Sequence, residues 1–168
     1  MTDKINIGIS RCLLGDAVRY NGQSKPCSLI FEKLSPHFEL VSICPEVEAG
    51  LSIPRPPVQL TGSIETPRLT GRDNPGLDVT ELMHDYCQKK IPTLNKLGGF
   101  VLKSRSPSCG LHSTPVFIDG VCVTETSSGV FTRMLQKTYS DLPVIEETQL
   151  DSPARLNEFI QSVLKSMP

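Results

Sequence analysis

Three cysteines each follow an apolar segment that is typical of a buried strand. Cys12 and Cys44 come just after such segments, and Cys109 comes a few residues after a third. Three thiolates brought together can hold a metal and leave one coordination position open, as a Lewis-acid site requires. A zinc ion with three protein ligands and a cubane iron–sulfur cluster both suit this donor set. The alternative is that all three are buried free thiols, since free cysteine is among the most buried residue types.

The other three cysteines are expected to lie away from such a site. Cys87 falls on the apolar face of a predicted helix and Cys122 between two valines of a predicted strand, so we predict that both belong to the core. Cys27 falls in the first turn of a helix, where it is a free thiol or, alternatively, a fourth ligand. No two of the six cysteines form a CxxC pair, so a zinc ribbon or a thioredoxin-type motif has no local support.

Polar residues beside these cysteines could act on a bound substrate. Glu46 lies two residues after Cys44, where a carboxylate can serve as general acid or base on a water or a substrate N–H. Glu48 in the same loop is the alternative, and either carboxylate could instead be solvated. The segment KSRSPSCG adds cations, hydroxyls and backbone N–H groups that could hold a substrate or an anion. Its candidate residues are Lys103, Ser104, Arg105, Ser106 and Ser108.

Further cations and one aromatic residue lie in two other loops. Arg55, within PRPP, either recognises an anion or braces its loop by pairing with backbone carbonyls. Arg19, Tyr20 and Lys25 are candidates for binding a nucleotide phosphate or sugar, although an exposed loop also carries such residues without a ligand.

Strand and helix patterns alternate along the chain, which predicts an α/β layered fold with a mainly parallel central sheet flanked by helices, Rossmann-like in arrangement. In such sheets ligands bind beyond the carboxyl ends of the strands. Cys12, Cys44 and Cys109 can therefore reach the same edge of the sheet. The predicted strands of this sheet are 5–10, 38–43, 98–103 and 142–147.

The remaining segments complete the predicted topology. Helical periodicity predicts a long helix over 77–97, and Pro26 is expected to open an earlier one. The segment 44–60 is rich in proline and glycine and is expected to hold no regular structure. A small polar hairpin is predicted at 61–71, and a tight hairpin at Asp119-Gly120. A last helix is expected within 151–168, with Ser152 as its N-cap.

Length and charge narrow the class of protein. The 168 residues fit one domain, and the formal net charge of −1 argues against a broad nucleic-acid surface. No apolar run is long enough to cross a bilayer, and the N-terminus lacks a signal-peptide pattern. We therefore expect a single domain over 1–168, located in the cytoplasm, with no membrane partner.

Four separated motifs resemble those of the TudS-type thiouracil desulfidases, a family of bacteria and archaea. They are SRCLLG with RYNG, then CPE with PRPP, GLDVT, and KSRSPSCG, and the similarity runs from about Ile5 to about Glu147. Arg11 stands where the family commonly has a small residue. The sequence ends where some members continue into a second domain.

The resemblance implies a [4Fe-4S] cluster on Cys12, Cys44 and Cys109, with the fourth iron open. It also implies non-redox desulfuration of a thiolated pyrimidine to the uracil form plus hydrosulfide, in the recycling of tRNA nucleosides. In this interpretation Glu46 is the general acid/base, and Ser104 or Ser106 helps to hold substrate or sulfide. Substrate binding falls to Lys103, Arg105, Arg55, Tyr20 and Ser108. These cations suit one small phosphate, so 4-thiouridine 5′-monophosphate is favoured over sulfurated tRNA.

Two other functions remain open. The cysteines could hold a cluster or zinc in a regulatory module that senses oxidation, in which case Cys27 would close the site as a fourth ligand. Alternatively, Cys109 could be the nucleophile of a cysteine hydrolase, although the histidines offer no evident partner. They are His37, His84 and His112.

Overall fold

The computed structural model describes residues 3–15, 20–21 and 27–166 of the chain. The predictions for Arg19, Lys25 and Pro26 lie outside these residues. Its strands are β1 (Ile5–Ser10), β2 (Phe38–Ile43), β3 (Val58–Thr61), β4 (Arg68–Gly71), β5 (Gly99–Leu102), β6 (Thr114–Ile118), β7 (Val121–Ser127) and β8 (Val144–Glu146). Its α-helices are α1 (Pro45–Glu48), α2 (Thr80–Lys90), α3 (Val130–Thr138) and α4 (Pro153–Ser166). Short 3-10 segments cover Arg11–Leu14, Ile91–Leu94 and Glu147–Gln149, and a π-helical turn covers Ile30–Leu34.

The first sheet is entirely parallel, in the order β2-β1-β5-β8. All four of its strands were predicted, and the predicted α/β class with a parallel central sheet is confirmed. Every residue of β5 is buried, as expected for a parallel strand covered on both faces. Because the strands run in the same direction, their carboxyl ends meet at one edge.

The second sheet has the order β4-β3-β6-β7, and only the β3–β6 pair is parallel. The hairpin predicted at Asp119-Gly120 is confirmed, and both residues have positive φ (51° and 78°), as a tight turn between twisted strands requires. The hairpin predicted at 61–71 also forms, but it is not simply polar, because Leu60 and Leu69 are fully buried. The sequence patterns did not indicate that the two hairpins join through β3 and β6.

Apolar cores cover both faces of the parallel sheet. On one face, Phe100 of β5 meets Phe131 of α3 edge-to-face, with ring centroids 5.7 Å apart. Met83 of α2 belongs to the same core. On the other face, Phe159 and Val163 of α4 lie in one core with β1. Each fully buried large side chain contributes about 1.5–3 kcal/mol to folding, so these layers hold the strand ends in place.

Two sequence predictions about local structure are corrected. The long helix expected over 77–97 is shorter, because the Asp78 carboxylate accepts the N–H of Thr80 (3.0 Å) at its start. At its other end the chain tightens into the 3-10 segment Ile91–Leu94, which contains Pro92 at its second position. The segment 44–60 is not wholly irregular: it contains α1, whose first residue is Pro45, and the beginning of β3.

Cys122 is exposed, so its prediction as a core residue is wrong. It lies in β7, which is paired on one side only, and its neighbours Val121 and Val123 are also largely exposed. The alternation of apolar residues was misleading here, because most side chains on both faces of β7 are exposed. Among the residues that the structure describes, no helix is long and apolar enough to span a membrane.

Candidate active site

The carboxyl ends of β1, β2 and β5 open into one cavity of about 410 Å³. Eleven residues predicted for the site line it, and the strand-end argument anticipated this for the three cysteines among them. The eleven are Cys12, Tyr20, Cys44, Glu46, Arg55, Lys103, Ser104, Arg105, Ser106, Ser108 and Cys109. Their individual catalytic and binding roles remain predictions.

Three thiols belong to the wall of this cavity. Cys109 is 4% exposed, and burial raises the pKa of its thiol, with Cys44 and Cys12 close enough to raise it further; a hydrogen bond with Ser10 acts in the opposite direction. Burial also raises the pKa of the Cys44 thiol. Within 3–15, 20–21 and 27–166, no three His, Cys, Asp or Glu side chains are close enough to share a single metal ion. Thiolates are the usual ligands of iron–sulfur clusters, so the three cysteines of this cavity suit such a cluster.

Cys27 and Cys87 do not line the cavity. The backbone N–H of Cys27 donates to the carbonyl of Leu13 (3.0 Å), and the residue packs against the core beneath β1. Cys87 is fully buried in α2, as predicted, and burial raises the pKa of its thiol to about 12.

Cys44 is the N-cap of α1, and Glu48 holds it there. Glu48 Oε2 accepts the backbone N–H of Cys44 (2.9 Å), and Oε1 accepts the hydroxyl of Tyr86 (2.8 Å) and faces Lys90 Nζ (3.4 Å). Burial and this carboxylate raise the pKa of Tyr86. Glu48 is therefore engaged behind the cysteine and does not line the cavity.

Glu46 occupies the cavity wall instead. Its Oε1 accepts Arg55 Nε (3.0 Å), and its Oε2 accepts the hydroxyl of Ser108 (3.0 Å). Arg55 also donates from Nη1 to the carbonyl of Ser52 (3.1 Å), and its side chain is only 5% exposed. Among the described residues that line the cavity, Glu46 is the single carboxylate, and it is fixed at both oxygens. Such a group is well placed to exchange a proton with a bound water or substrate.

The loop that carries Cys109 is held from within and by α3. Ser106 Oγ accepts the backbone N–H groups of Ser108 (3.2 Å) and Cys109 (3.0 Å). The hydroxyl of Thr132 in α3 donates to the carbonyl of Cys109 (2.8 Å). Ser106 thus shapes the cysteine loop, in addition to any contact that it makes with a substrate.

On the opposite side of the cysteine motif, Ser104 pairs with a carboxylate that sequence reasoning missed. Glu147 accepts both the backbone N–H (2.8 Å) and the hydroxyl (2.6 Å) of Ser104. Lys103 Nζ lies 3.5 Å from the same carboxylate and donates to the carbonyl of Ser104 (2.7 Å).

Comparison with known proteins agrees with this geometry. The family model described as 2-thiouracil desulfurase matches residues 7–147. The chain belongs to this family. Membership confirms the resemblance seen in the sequence motifs and the predicted enzyme class.

Two individual relatives of this desulfurase family member are informative. A protein of Bacillus subtilis (strain 168), described as uncharacterized protein YbbK, is 35% identical over 108 residues, which are 61% of this chain and 71% of the relative. A solved structure described as the [4Fe-4S]-dependent thiouracil desulfidase TudS has a TM-score of 0.70 at 30% identity, over 94% of this chain and 99% of that chain. The described cofactor of that structure agrees with the predicted one.

Several residues at the site of this desulfurase family member were not predicted. Ser10, the last residue of β1, lines the cavity, and its Oγ accepts the N–H of Lys103 (3.0 Å). Arg72 also lines the cavity, with its guanidinium 5.8 Å from the centroid of the Tyr20 ring. Ser10 and Glu147 both follow from the strand-end argument, because each stands at the end of a predicted parallel strand. Arg72 follows the hairpin β3–β4, and no pattern in the sequence indicated its role.

A glycine in front of α3 allows the Cys109 loop to approach that helix, which leads to a first prediction. A Cβ on Gly129 would lie 2.3 Å from the carbonyl carbon of Ser108 and 2.6 Å from the nitrogen of Cys109. We expect Gly129→Ala to lower the free energy of unfolding by about 1–3 kcal/mol and to reduce the iron content, because backbone atoms must shift. Chemical denaturation and iron analysis measure the two effects.

Gly76→Ala is the matched control for this change. Its added Cβ meets only the side-chain oxygen of Asn74, at 3.3 Å, in an exposed turn. We expect the free energy of unfolding to change by less than about 0.5 kcal/mol and the iron content to stay unaltered. Equal losses of stability and iron in the two variants would contradict the role of Gly129 in allowing the Cys109 loop to approach α3.

Proposed function

We propose that this protein, acting as a single desulfidase domain over 1–168, removes sulfur from a thiolated pyrimidine without net redox change. The favoured substrate is 4-thiouridine 5′-monophosphate, and the products are uridine monophosphate and hydrosulfide. The observation that carries the proposal is one cavity lined by three separate thiols and a carboxylate fixed by Arg55 and Ser108. Family membership and the described activity of the TudS structure support it.

Cys12, Cys44 and Cys109 would hold the [4Fe-4S] cluster. When bound, the cluster supplies an open iron that acts as a Lewis acid on the thione sulfur. Three ligands in place of four leave that position open, since clusters that only carry electrons normally have four cysteines. The other residues of the cavity supply orientation and proton transfer.

Glu46 carries the proton transfer in this mechanism. The carbon–sulfur double bond is replaced by a carbon–oxygen double bond, water provides the oxygen, and its two protons end on the departing sulfide or in solvent. Glu46 takes a proton from the attacking water, so a hydroxide-like oxygen reaches the carbon. Arg55 on Oε1 and Ser108 on Oε2 hold the carboxylate in one orientation.

Charge and size favour a mononucleotide. The cavity volume of about 410 Å³ lies within the range of small-molecule sites, roughly 300–1,000 Å³. Among the described residues, its lining carries five cations and one carboxylate; the cations are Arg11, Arg55, Arg72, Lys103 and Arg105. A confined positive site suits one phosphate, whereas a tRNA needs many phosphate contacts across a basic face, and the net charge of −1 does not favour that.

Arg72 provides a test of nucleotide preference. It lies over Tyr20 at the cavity and is 53% exposed, so it can reach a phosphate at the entrance. We expect Arg72→Ala to raise KM for 4-thiouridine monophosphate about tenfold, because one charge-assisted contact is lost, and to leave KM for free 4-thiouracil within about twofold. Steady-state kinetics with both substrates measures the difference. An equal rise for both substrates would assign Arg72 to the shape of the cavity instead.

The decisive experiment is anaerobic. The protein is reconstituted with iron and sulfide, iron is counted per chain, and the near-ultraviolet absorbance of the thione is followed after 4-thiouridine monophosphate is added. About four irons, with hydrosulfide and uridine monophosphate formed in equal amounts, supports the proposal. A cluster without turnover on the nucleotide, nucleoside or base would favour the sensing module. Tight zinc with no iron would reject the cluster.

The cysteine-hydrolase alternative gains no support from the geometry. None of the three histidines lines the cavity that contains Cys109. A thiol nucleophile needs an adjacent base or a lowered pKa, whereas burial raises the pKa of Cys109.

A further inference from the structure

Glu147 belongs to a hydrogen-bonded group that the proposed mechanism does not yet use. It is the first residue after β8, in the 3-10 segment Glu147–Gln149, beside the carboxyl end of β5. Its side chain is 12% exposed, and that of Lys103 beside it is 16% exposed. Glu147 itself does not line the cavity, but its partner Ser104 does. Any influence of Glu147 on a substrate must therefore pass through a partner that lines the cavity, either Ser104 or Lys103.

The hydrogen bonds of Ser104 determine what its hydroxyl can offer to a ligand. Its single O–H hydrogen is donated to Glu147 Oε1 (2.6 Å), and Lys103 Nζ donates to the same Oγ (3.3 Å). A serine hydroxyl has one donor and two acceptor positions, so one acceptor position remains. Ser104 can consequently accept a hydrogen bond in the cavity but cannot donate one while Glu147 is in place.

Hydrogen bonds to charged groups fix the orientation of the Ser104 side chain. A bond from a hydroxyl to a carboxylate is short and about twice as strong as one between neutral groups. Glu147 also accepts the backbone N–H of Ser104 (2.8 Å), so the residue is held at two atoms. Lys103 Nζ lies 3.5 Å from the Glu147 carboxylate and adds an ionic contact to it. Together these contacts orient the Ser104 hydroxyl before any ligand arrives.

The cavity thus combines two serine–carboxylate pairs with different roles. In one pair the carboxylate, Glu46, lines the cavity together with its partner Ser108. In the other the carboxylate, Glu147, stands behind the serine that lines it. A water that attacks a thione gives one hydrogen to a base, and an acceptor for its second hydrogen orients its lone pair toward the carbon. Glu46 can accept one of these hydrogens and Ser104 the other.

We propose that Glu147 is a positioning residue for desulfuration, which fixes Ser104 as the second hydrogen-bond acceptor of the attacking water. The inference rests on the proposed function. Glu147 acts through Ser104 and does not touch the substrate. A purely mechanical role, in which Glu147 only fastens the end of β8 to the loop after β5, is the competing explanation.

A double-mutant cycle separates the two explanations. The variants are Glu147→Gln, Ser104→Ala and the combination, each reconstituted and compared for iron content, kcat and KM. Glu147→Gln retains size and backbone contacts but replaces one acceptor oxygen with a donor. We expect kcat to fall about tenfold, with KM within about twofold and iron unchanged, because the lost interaction orients water and not the pyrimidine. In the Ser104→Ala background the same substitution should change kcat by less than about twofold.

A binding measurement provides a readout independent of turnover. The dissociation constant of uridine monophosphate, measured by calorimetry, should stay within about twofold in Glu147→Gln, since the product does not depend on the attacking water. Glu158→Gln, the same chemical change on an exposed carboxylate of α4, should leave every quantity unchanged.

Each outcome decides the inference. Equal losses of kcat in the wild-type and Ser104→Ala backgrounds, or loss of iron in Glu147→Gln, would overturn it in favour of mechanical fastening. A weaker affinity for uridine monophosphate would also overturn it, because Ser104 would then hold the pyrimidine. An inactive wild-type protein would overturn the proposed function itself. This result differs from an active wild type in which the effects of Glu147→Gln and Ser104→Ala on kcat simply add, which would overturn only the role of Glu147.

Discussion

Replacing Cys109 with alanine is expected to abolish both iron binding and turnover. The residue is almost completely buried, and its thiol interacts with those of Cys12 and Cys44. A cluster with three protein ligands has no replacement for one that is removed, so iron should fall from about four per chain to less than about a tenth of that value. Iron analysis and the visible absorbance of the reconstituted protein measure the loss. We expect the same result for Cys12→Ala and Cys44→Ala.

Cys27→Ala and Cys122→Ala are the controls. Cys27 is bound through its backbone to Leu13 and does not line the cavity, and Cys122 is exposed on β7. Both variants should keep the full iron content and turnover within about twofold. Loss of the cluster in Cys27→Ala would mean that four protein ligands close the site, and the catalytic proposal would give way to the sensing module.

Glu46→Gln is expected to lower kcat about a hundredfold or more while the cluster is retained. The amide has nearly the same shape as the carboxylate and can still meet Ser108, but it cannot take a proton from water. Iron content and product affinity should stay at wild-type values, so the loss will be confined to kcat. Unchanged turnover in this variant would remove Glu46 from the mechanism.

Glu48→Gln is the matched comparison, because Glu48 stands two residues away and was the alternative base. Its carboxylate accepts the N–H of Cys44 and the hydroxyl of Tyr86 behind the cavity. We expect a loss of stability of about 1–3 kcal/mol, since a partly buried hydrogen-bond network is disturbed, with turnover per bound cluster within a few-fold of wild type. A hundredfold loss of kcat in Glu48→Gln alone would reverse the assignment of the two carboxylates.

Much of the fold could be predicted because its strongest signals are local. The parallel strands are short apolar runs, and the turn at Asp119-Gly120 needs residues that tolerate positive φ. The predictions of local structure were wrong where contacts with other parts of the fold decide burial or helix length. Whether Cys122 is buried depends on what packs against the face of β7, and its side chain is exposed. The ends of α2 depend on the hydrogen bond from the Thr80 N–H to the Asp78 carboxylate and on a tightened last turn, which periodicity does not reveal.

For the site, too, the sequence indicated which residues lie there but not how their side chains interact. The predicted site residues that follow β1, β2 and β5 line the cavity because the carboxyl ends of parallel strands share one edge, whereas Tyr20 and Arg55 reach it from other loops. Hydrogen-bond partners, however, join residues distant in sequence. Glu46 and Ser108 are 62 residues apart, and Ser104 and Glu147 are 43 apart. Side-chain orientation at such separations cannot be deduced from spacing.

The sequence by itself determined which chemical groups meet: three thiolates, a carboxylate and a polar loop that follow strands of one sheet. It did so because strand ends are properties of short segments, and the alternation of strands with helices favours parallel pairing. Only the tertiary structure decided which carboxylate lines the cavity and which one braces a cysteine. Glu46 and Glu48 differ by two positions on a single turn of helix, and packing against Arg55 on one side and Tyr86 on the other directs them apart.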